Sequence, residues 1–236
     1  MAMNNFHDIL KNTETACLLC ERDFSHSELI EIIRTENDLE KQICLLKLKE
    51  IRSQDEADLL VFNLTNHHGI IREAAAIKIN ELMKMPENSA FFRTEKILLT
   101  FLDAVIDINP NICRHIIEIL PFIENKKFFF KNLIKRALEI IEDAKTMNRR
   151  KSGYIYSRKV FKIFWYLEAV AGLGDFEDEK AILELINRTF DFDDYTIREK
   201  CAGLVAVFPK TPQNLRNSLK NDENYFVRRK LIQCPG

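Results

Sequence analysis

Glycine and proline are scarce in this chain, six of each in 236 residues. A strand-rich fold needs both at its turns, and neither Asn-Gly nor Asp-Gly occurs, so hairpin sheets are not expected. Apolar/polar alternation nowhere survives beyond four residues. No run of about 18 apolar residues exists, so no membrane partner is expected. The start, Met1-Ala2-Met3-Asn4-Asn5-Phe6, lacks a basic region followed by an apolar one, which reads as no secretory leader. With that start, six cysteines read as free thiols in a reducing compartment, and the expected location is cytoplasmic. Motifs for nucleotide phosphates, serine nucleophiles and zinc hydrolysis (the P-loop, Gly-x-Ser-x-Gly, His-Glu-x-x-His) are all missing. No catalytic residue, metal or cofactor is therefore assigned. A formal charge of −1 argues against a general polyanion binder.

What is present suits amphipathic helices: 46% hydrophobic and 30% charged residues. Phe6, Ile9, Leu10, Thr13, Ala16, Cys17, Cys20 and Phe24 recur at steps of three and four, predicting a helix over residues 4–22. Ser25 and Glu28 form a capping box for a helix through Arg34. Asn37 or Asp38 restarts the chain, with Ile43, Leu46, Leu48 and Ile51 marking the next helix. Further helices are expected from Asp55, from Ile70 to Met85-Pro86, from Thr94 to Ile106 and from Ile112 to Ile123. Others run from Lys126 to about Lys145, from Tyr154 to Leu173 and from Glu177 to Phe190. Three more begin at Thr196, Pro212 and Asn224. Small residues at Ala74, Ala75 and Ala202 predict close helix contacts.

Aligned on the basic residue after each polar turn, Lys41, Arg72, Arg114, Arg158, Arg198 and Arg228 are spaced by 31, 42, 44, 40 and 30 residues. Such periods belong to two-helix repeats, because a single helical hairpin cannot bury its own apolar face. The stretch Leu167 to Val207 carries the pattern most fully. A Gly172-Leu173-Gly174-Asp175 break and an apolar helix lead to the acidic turn Asp191-Phe192-Asp193-Asp194. Ile197-Arg198 and small residues follow. It resembles a bacterial HEAT repeat. The resemblance covers about residues 25–233 and is good around Arg72, Arg198 and Arg228, fair around Arg114, and poor around Lys41 and Arg158. It implies an all-α, right-handed superhelix (solenoid) of about five to six hairpins, at about 25–53, 55–85, 90–124, 126–173, 176–208 and 211–233. One domain spans 1–236, with 1–24 as an N-terminal capping helix. In the family the turn Asp and the Arg tie neighbouring repeats together, so the resemblance gives Asp194, Arg198 and Arg228 a structural role.

Chemistry is thinly signalled. Cys17 and Cys20 could suggest metal or redox work, but a second ligand pair is missing and both fall on the apolar stripe, so buried packing is favoured. His67-His68 reads as a turn or cap, and Gly172-Leu173-Gly174 as a helix C-cap. One feature is stronger. Residues 126–162 hold twelve Lys/Arg against Glu139, Glu142 and Asp143, a net +9 that leaves −10 elsewhere. At 100° per residue, Val160, Phe164, Leu167 and Ala171 form one side of the helix from Tyr154. Arg158, Lys162 and Trp165 fall opposite, with Lys159 and Tyr166 at the margin. These five are the candidate binding residues, for an acidic protein or peptide partner.

The favoured reading is a non-catalytic scaffold using the concave face of the solenoid. The alternative is a nucleic-acid module, or a DNA glycosylase of the HEAT-like kind, using segment 126–162. A prosthetic-group lyase resembling the phycobilisome-lyase group rests on fold analogy alone.

Overall fold

A computed structural model describes residues 13–35, 37–147, 153–174 and 178–233. All regular structure among them is helical, and no helix there is long and apolar enough to cross a membrane. Their contacts divide into two compact units, with the division at Thr100/Phe101.

The first unit contains α1 (13–21), α2 (His26–Arg34), α3 (Asp38–Lys47), α4 (Gln54–Phe62), α5 (Gly69–Met83), the short α6 (Pro86–Ser89) and the start of α7 (Glu95–Ala104). Local chemistry sets these boundaries. Ser25 and Glu28 close the expected capping box on α2, and Asn37 and Ser53 accept from the Glu40 and Glu56 amides. Helix α3 stops at Lys47, earlier than its apolar pattern suggested. Leu48 and Ile51 are buried from the following loop, whereas Leu46 is exposed. Buried Asn88 stabilises that loop by accepting the Ile51 amide at 3.1 Å.

Helix α3 packs on α2 and α5, and α4 on α2 and α5. Ala74, Ala75 and Ala76 are fully enclosed in this stack, as their size predicted. Ala75→Leu is expected to overpack it and cost about 1–3 kcal/mol. A denaturant midpoint equal to the parent's would place that side of α5 in solvent.

The second unit holds α8 (Pro110–Ile119), α9 (Lys126–Thr146), α10 (Gly153–Leu173), α11 (Glu179–Thr189), α12 (Tyr195–Val207), α13 (Gln213–Lys220) and α14 (Tyr225–Gln233). Side-chain caps from Asn109, Asn125, Asp178 and Asp194 start four of them. Consecutive helices pair as α9 with α10, α11 with α12 and α13 with α14. Alternate helices also pack together: α8, α10, α12 and α14 in one row, and α9 beside α11. Gly172 is where α10 meets α8 closely, since a Cβ there would lie 2.9 Å from Ile117 Cγ2. Gly174 ends α10 at φ +65°, the left-handed conformation that glycine adopts without penalty.

The turns repeat one geometry. Arg72 Nη1 donates to the carbonyls of Asn66 (2.9 Å) and His67 (3.2 Å). Arg198 Nη1 does the same to Phe192 (2.8 Å) and Asp193 (3.2 Å), and Arg228 Nη1 to Asp222 (2.5 Å) and Glu223 (2.8 Å). In each case the acceptors lie six and five residues back. Asp194 differs from its implied role. Its carboxylate caps α12 through Thr196, and Arg198 instead holds the carboxylate of Asp222, with Glu223 at 3.4 Å, in the next turn along the chain.

Phe6, Ile9 and Leu10 of the first predicted helix lie outside the described residues. Where described, it corrects the expectation: Cys17, Cys20 and Leu18 are exposed. Periodicity marks a stripe, but burial needs a second layer, and no layer of described residues covers this one. His68 sits at the start of α5, 2.9 Å from Asp38, as a turn residue. Segments 148–152 and 175–177 lie outside the described residues.

Candidate ligand sites

Helix α10 is where the structure corrects the sequence most. Its buried residues are Ile163, Trp165, Tyr166, Leu167, Ala169, Val170 and Leu173. Val160, Phe164 and Ala171, assigned to the core side, are only half-buried. Trp165 and Tyr166, assigned to the binding side, retain 7% and 2% of their exposure. The physical reason is that α10 meets α8, α9 and α12 together, so more than one side of it is covered. A single-stripe reading assumes one covered side.

Trp165 packs edge-on against Phe161 and Phe164, with the Arg114 guanidinium 5.9 Å from its ring. Its indole N–H is buried without an acceptor among the described residues. Tyr166 is held by Arg136, whose Nη1 also reaches Asp103 at 2.5 Å. Burial pushes the Tyr166 hydroxyl up from its ordinary range, and Arg136 offsets part of that.

The three predicted cations do come together. Arg158, Lys159 and Lys162 line a hollow of about 270 Å³ with Ile140, Tyr154 and Ile155. Lys159 is tied to Asp143 at 2.8 Å, whereas Arg158 and Lys162 form no ion pair with a described residue. Beside them Tyr154 and Ile155 are 75% and 55% exposed. The hollow therefore combines an accessible aromatic, an accessible aliphatic and two available cations.

A larger cavity, about 650 Å³, lies between α9 and α11. Phe130, Ile134 and Leu138 form its floor with Ala181, and Lys126, Lys127, Lys131 and Lys135 form its rim. Two rows run side by side along α9, one apolar (130, 134, 138) and one cationic (127, 131, 135), each at four-residue steps. The cationic row opposes helix formation. Like charges four apart cost about 0.2–0.5 kcal/mol per pair. Lys126 and Lys127 also stand in a first turn without an acid, against the helix dipole. Among the described residues the one lining carboxylate, Asp178, is engaged in capping α11 through the Ala181 amide at 3.1 Å. On the sequence these lysines belong to the basic segment 126–162 and are not among the five candidate binding residues. Their spacing was visible, but the cavity depends on α11 lying alongside.

Where pKa values are displaced, the groups are held in the form they already have at neutral pH. Burial pushes the Cys113 and Cys201 thiols up to about 12, and that of Cys44 upward. A thiol so held is a poor nucleophile. Hydrogen bonds from the Ser25 amide and hydroxyl, outweighing the effect of burial, hold the Glu28 carboxyl below its usual value. No group of three or more metal-ligating side chains gathers among the described residues. Neither a family model nor a curated protein matches this chain.

Proposed function

We propose that this protein is a non-catalytic, HEAT-like helical scaffold that holds an acidic protein segment. The observation that carries the reading is the hollow at the start of α10, where exposed Tyr154 and Ile155 stand beside Arg158 and Lys162. Tyrosine and arginine supply much of the binding energy at protein interfaces, the ring by contact area and the guanidinium by forked hydrogen bonds. The turn geometry shared by Arg72, Arg198 and Arg228 supports the repeat architecture behind the proposal.

Several neighbouring cations are already paired: Lys159 with Asp143, Arg136 with Asp103 and Lys145 with Asp191. That breaks the basic segment into separate sites, an arrangement better suited to an acidic peptide than to a continuous phosphate backbone.

The test is fluorescence anisotropy with a labelled Asp/Glu-rich peptide containing tyrosine and leucine, run beside a labelled oligothymidylate. Arg158→Glu/Lys162→Glu is expected to weaken the peptide about tenfold or more, equivalent to about 1.4 kcal/mol, with an unchanged thermal midpoint. Raising salt from about 50 to 200 mM should weaken the peptide modestly. Tighter binding to the oligonucleotide with a steep salt slope would replace this reading with the nucleic-acid alternative. Equal peptide affinity in parent and variant would remove the hollow from it.

A further inference from the structure

The cavity between α9 and α11 points to a different ligand class. We propose that it binds a long-chain carboxylate, with the hydrocarbon chain laid along Phe130, Ile134 and Leu138 and the head group held by the lysine rim. The floor is apolar and largely sheltered from solvent. Phe130 and Ile134 are 7% and 5% exposed, although both line the cavity. A single hydrocarbon chain, far slimmer than a helix of about 10–12 Å with its side chains, is the shape that matches one row of apolar side chains. The floor runs along one row of α9 from residue 130 to 138, about 12 Å at the helical rise, and the volume lies within the range of small-molecule sites.

Charge selects the head group. Lys126, Lys127 and Lys131 form no ion pair with a described residue, and Lys135 stands 4.0 Å from Glu139 with both side chains largely exposed. Lysine stems cover apolar surface while their ammonium groups stay in water. They can thus line the upper wall around the chain and present several donors to one anion at its end. A neutral chain would bury the same surface but leave those donors to solvent, and a cationic chain would be repelled. The cavity thus favours an anionic amphiphile over either isostere.

Isothermal titration of the whole protein with dodecanoate, below its micelle concentration, tests the proposal. Dodecanol, dodecyltrimethylammonium and acetate serve as controls. Saturable one-to-one binding of dodecanoate is expected, at least about tenfold tighter than dodecanol, with no binding of the cation or of acetate. Lys131→Glu/Lys135→Glu, which alters only exposed side chains, should reduce dodecanoate binding by a similar factor while leaving the circular dichroism spectrum unchanged. Ala181→Phe, which places a ring over the floor, should reduce it without altering charge. Dodecanol as tight as dodecanoate, no saturable binding, or equal binding by parent and Lys131→Glu/Lys135→Glu would each overturn the proposal. The site is independent of the hollow at α10: the lysine variant should keep peptide binding, and Arg158→Glu/Lys162→Glu should keep dodecanoate binding.

Discussion

Replacing Arg198 by alanine is expected to destabilise the second unit by about 3–5 kcal/mol, the range for breaking one side of a buried ion pair. Arg198 Nε and Nη2 grip both Asp222 oxygens at 2.7 and 3.1 Å, and the two side chains are only 10% and 9% exposed. The same guanidinium holds two turn carbonyls, so its loss strands a carboxylate and two acceptors together. Arg198→Lys should recover only part of the loss, because an ammonium lacks the forked geometry. Denaturant unfolding of Arg198→Ala, Asp222→Ala and the double variant would measure the coupling. A change within about 0.5 kcal/mol for Arg198→Ala would show that the pair adds nothing to the fold.

The same pair predicts a pH dependence. Burial alone would raise the Asp222 carboxyl. Hydrogen bonds from Arg198 and the Asn224 amide, with the charges of Arg198 and Arg228, outweigh burial and hold it below its ordinary 3.8. A carboxyl depressed on folding stabilises fully above its unfolded value, and that contribution is lost as pH falls through the folded one. The stability gap between parent and Asp222→Asn should therefore be constant near neutrality and shrink as pH drops below 3.8.

The second large effect concerns Trp165. Trp165→Ala is expected to cost about 3–5 kcal/mol, as for other buried aromatics cut to alanine. Trp165→Phe should cost less than about 1.5 kcal/mol, since a similar apolar volume is kept. The N–H it removes has no acceptor among the described residues, so no hydrogen bond is lost with it. As the chain's only tryptophan, Trp165 reports on itself: its emission should be that of a shielded indole and move to the red on unfolding. Trp165→Phe should also leave acidic-peptide binding unchanged. A stable alanine variant that loses the peptide would instead place the ring in the binding surface.

Local rules carried much of this protein. The start of α2 was legible because a capping box needs only Ser25 and Glu28, three residues apart. The stop at Gly174 and the turn before Arg198 were legible for the same reason, since their physics lies within a few residues. The helical character of the described residues followed from steps of three and four with few glycines and prolines.

What depended on distant residues was not legible. Cys17 and Cys20 fall at helical spacing in the sequence, yet spacing does not state whether anything covers that side of the helix. Asp194 and Asp222 both carry a carboxylate at a turn. Only the packing of α12 against α13 and α14 made the second of them the partner of Arg198. The basic cluster was visible as charge, but its division into ion pairs, a hollow and a cavity came from where α8, α11 and α12 lie against α9 and α10. Sequence periodicity describes one helix against one surface. The exposure of Lys131 and the burial of Trp165 are properties of several helices at once, and tertiary packing decided them.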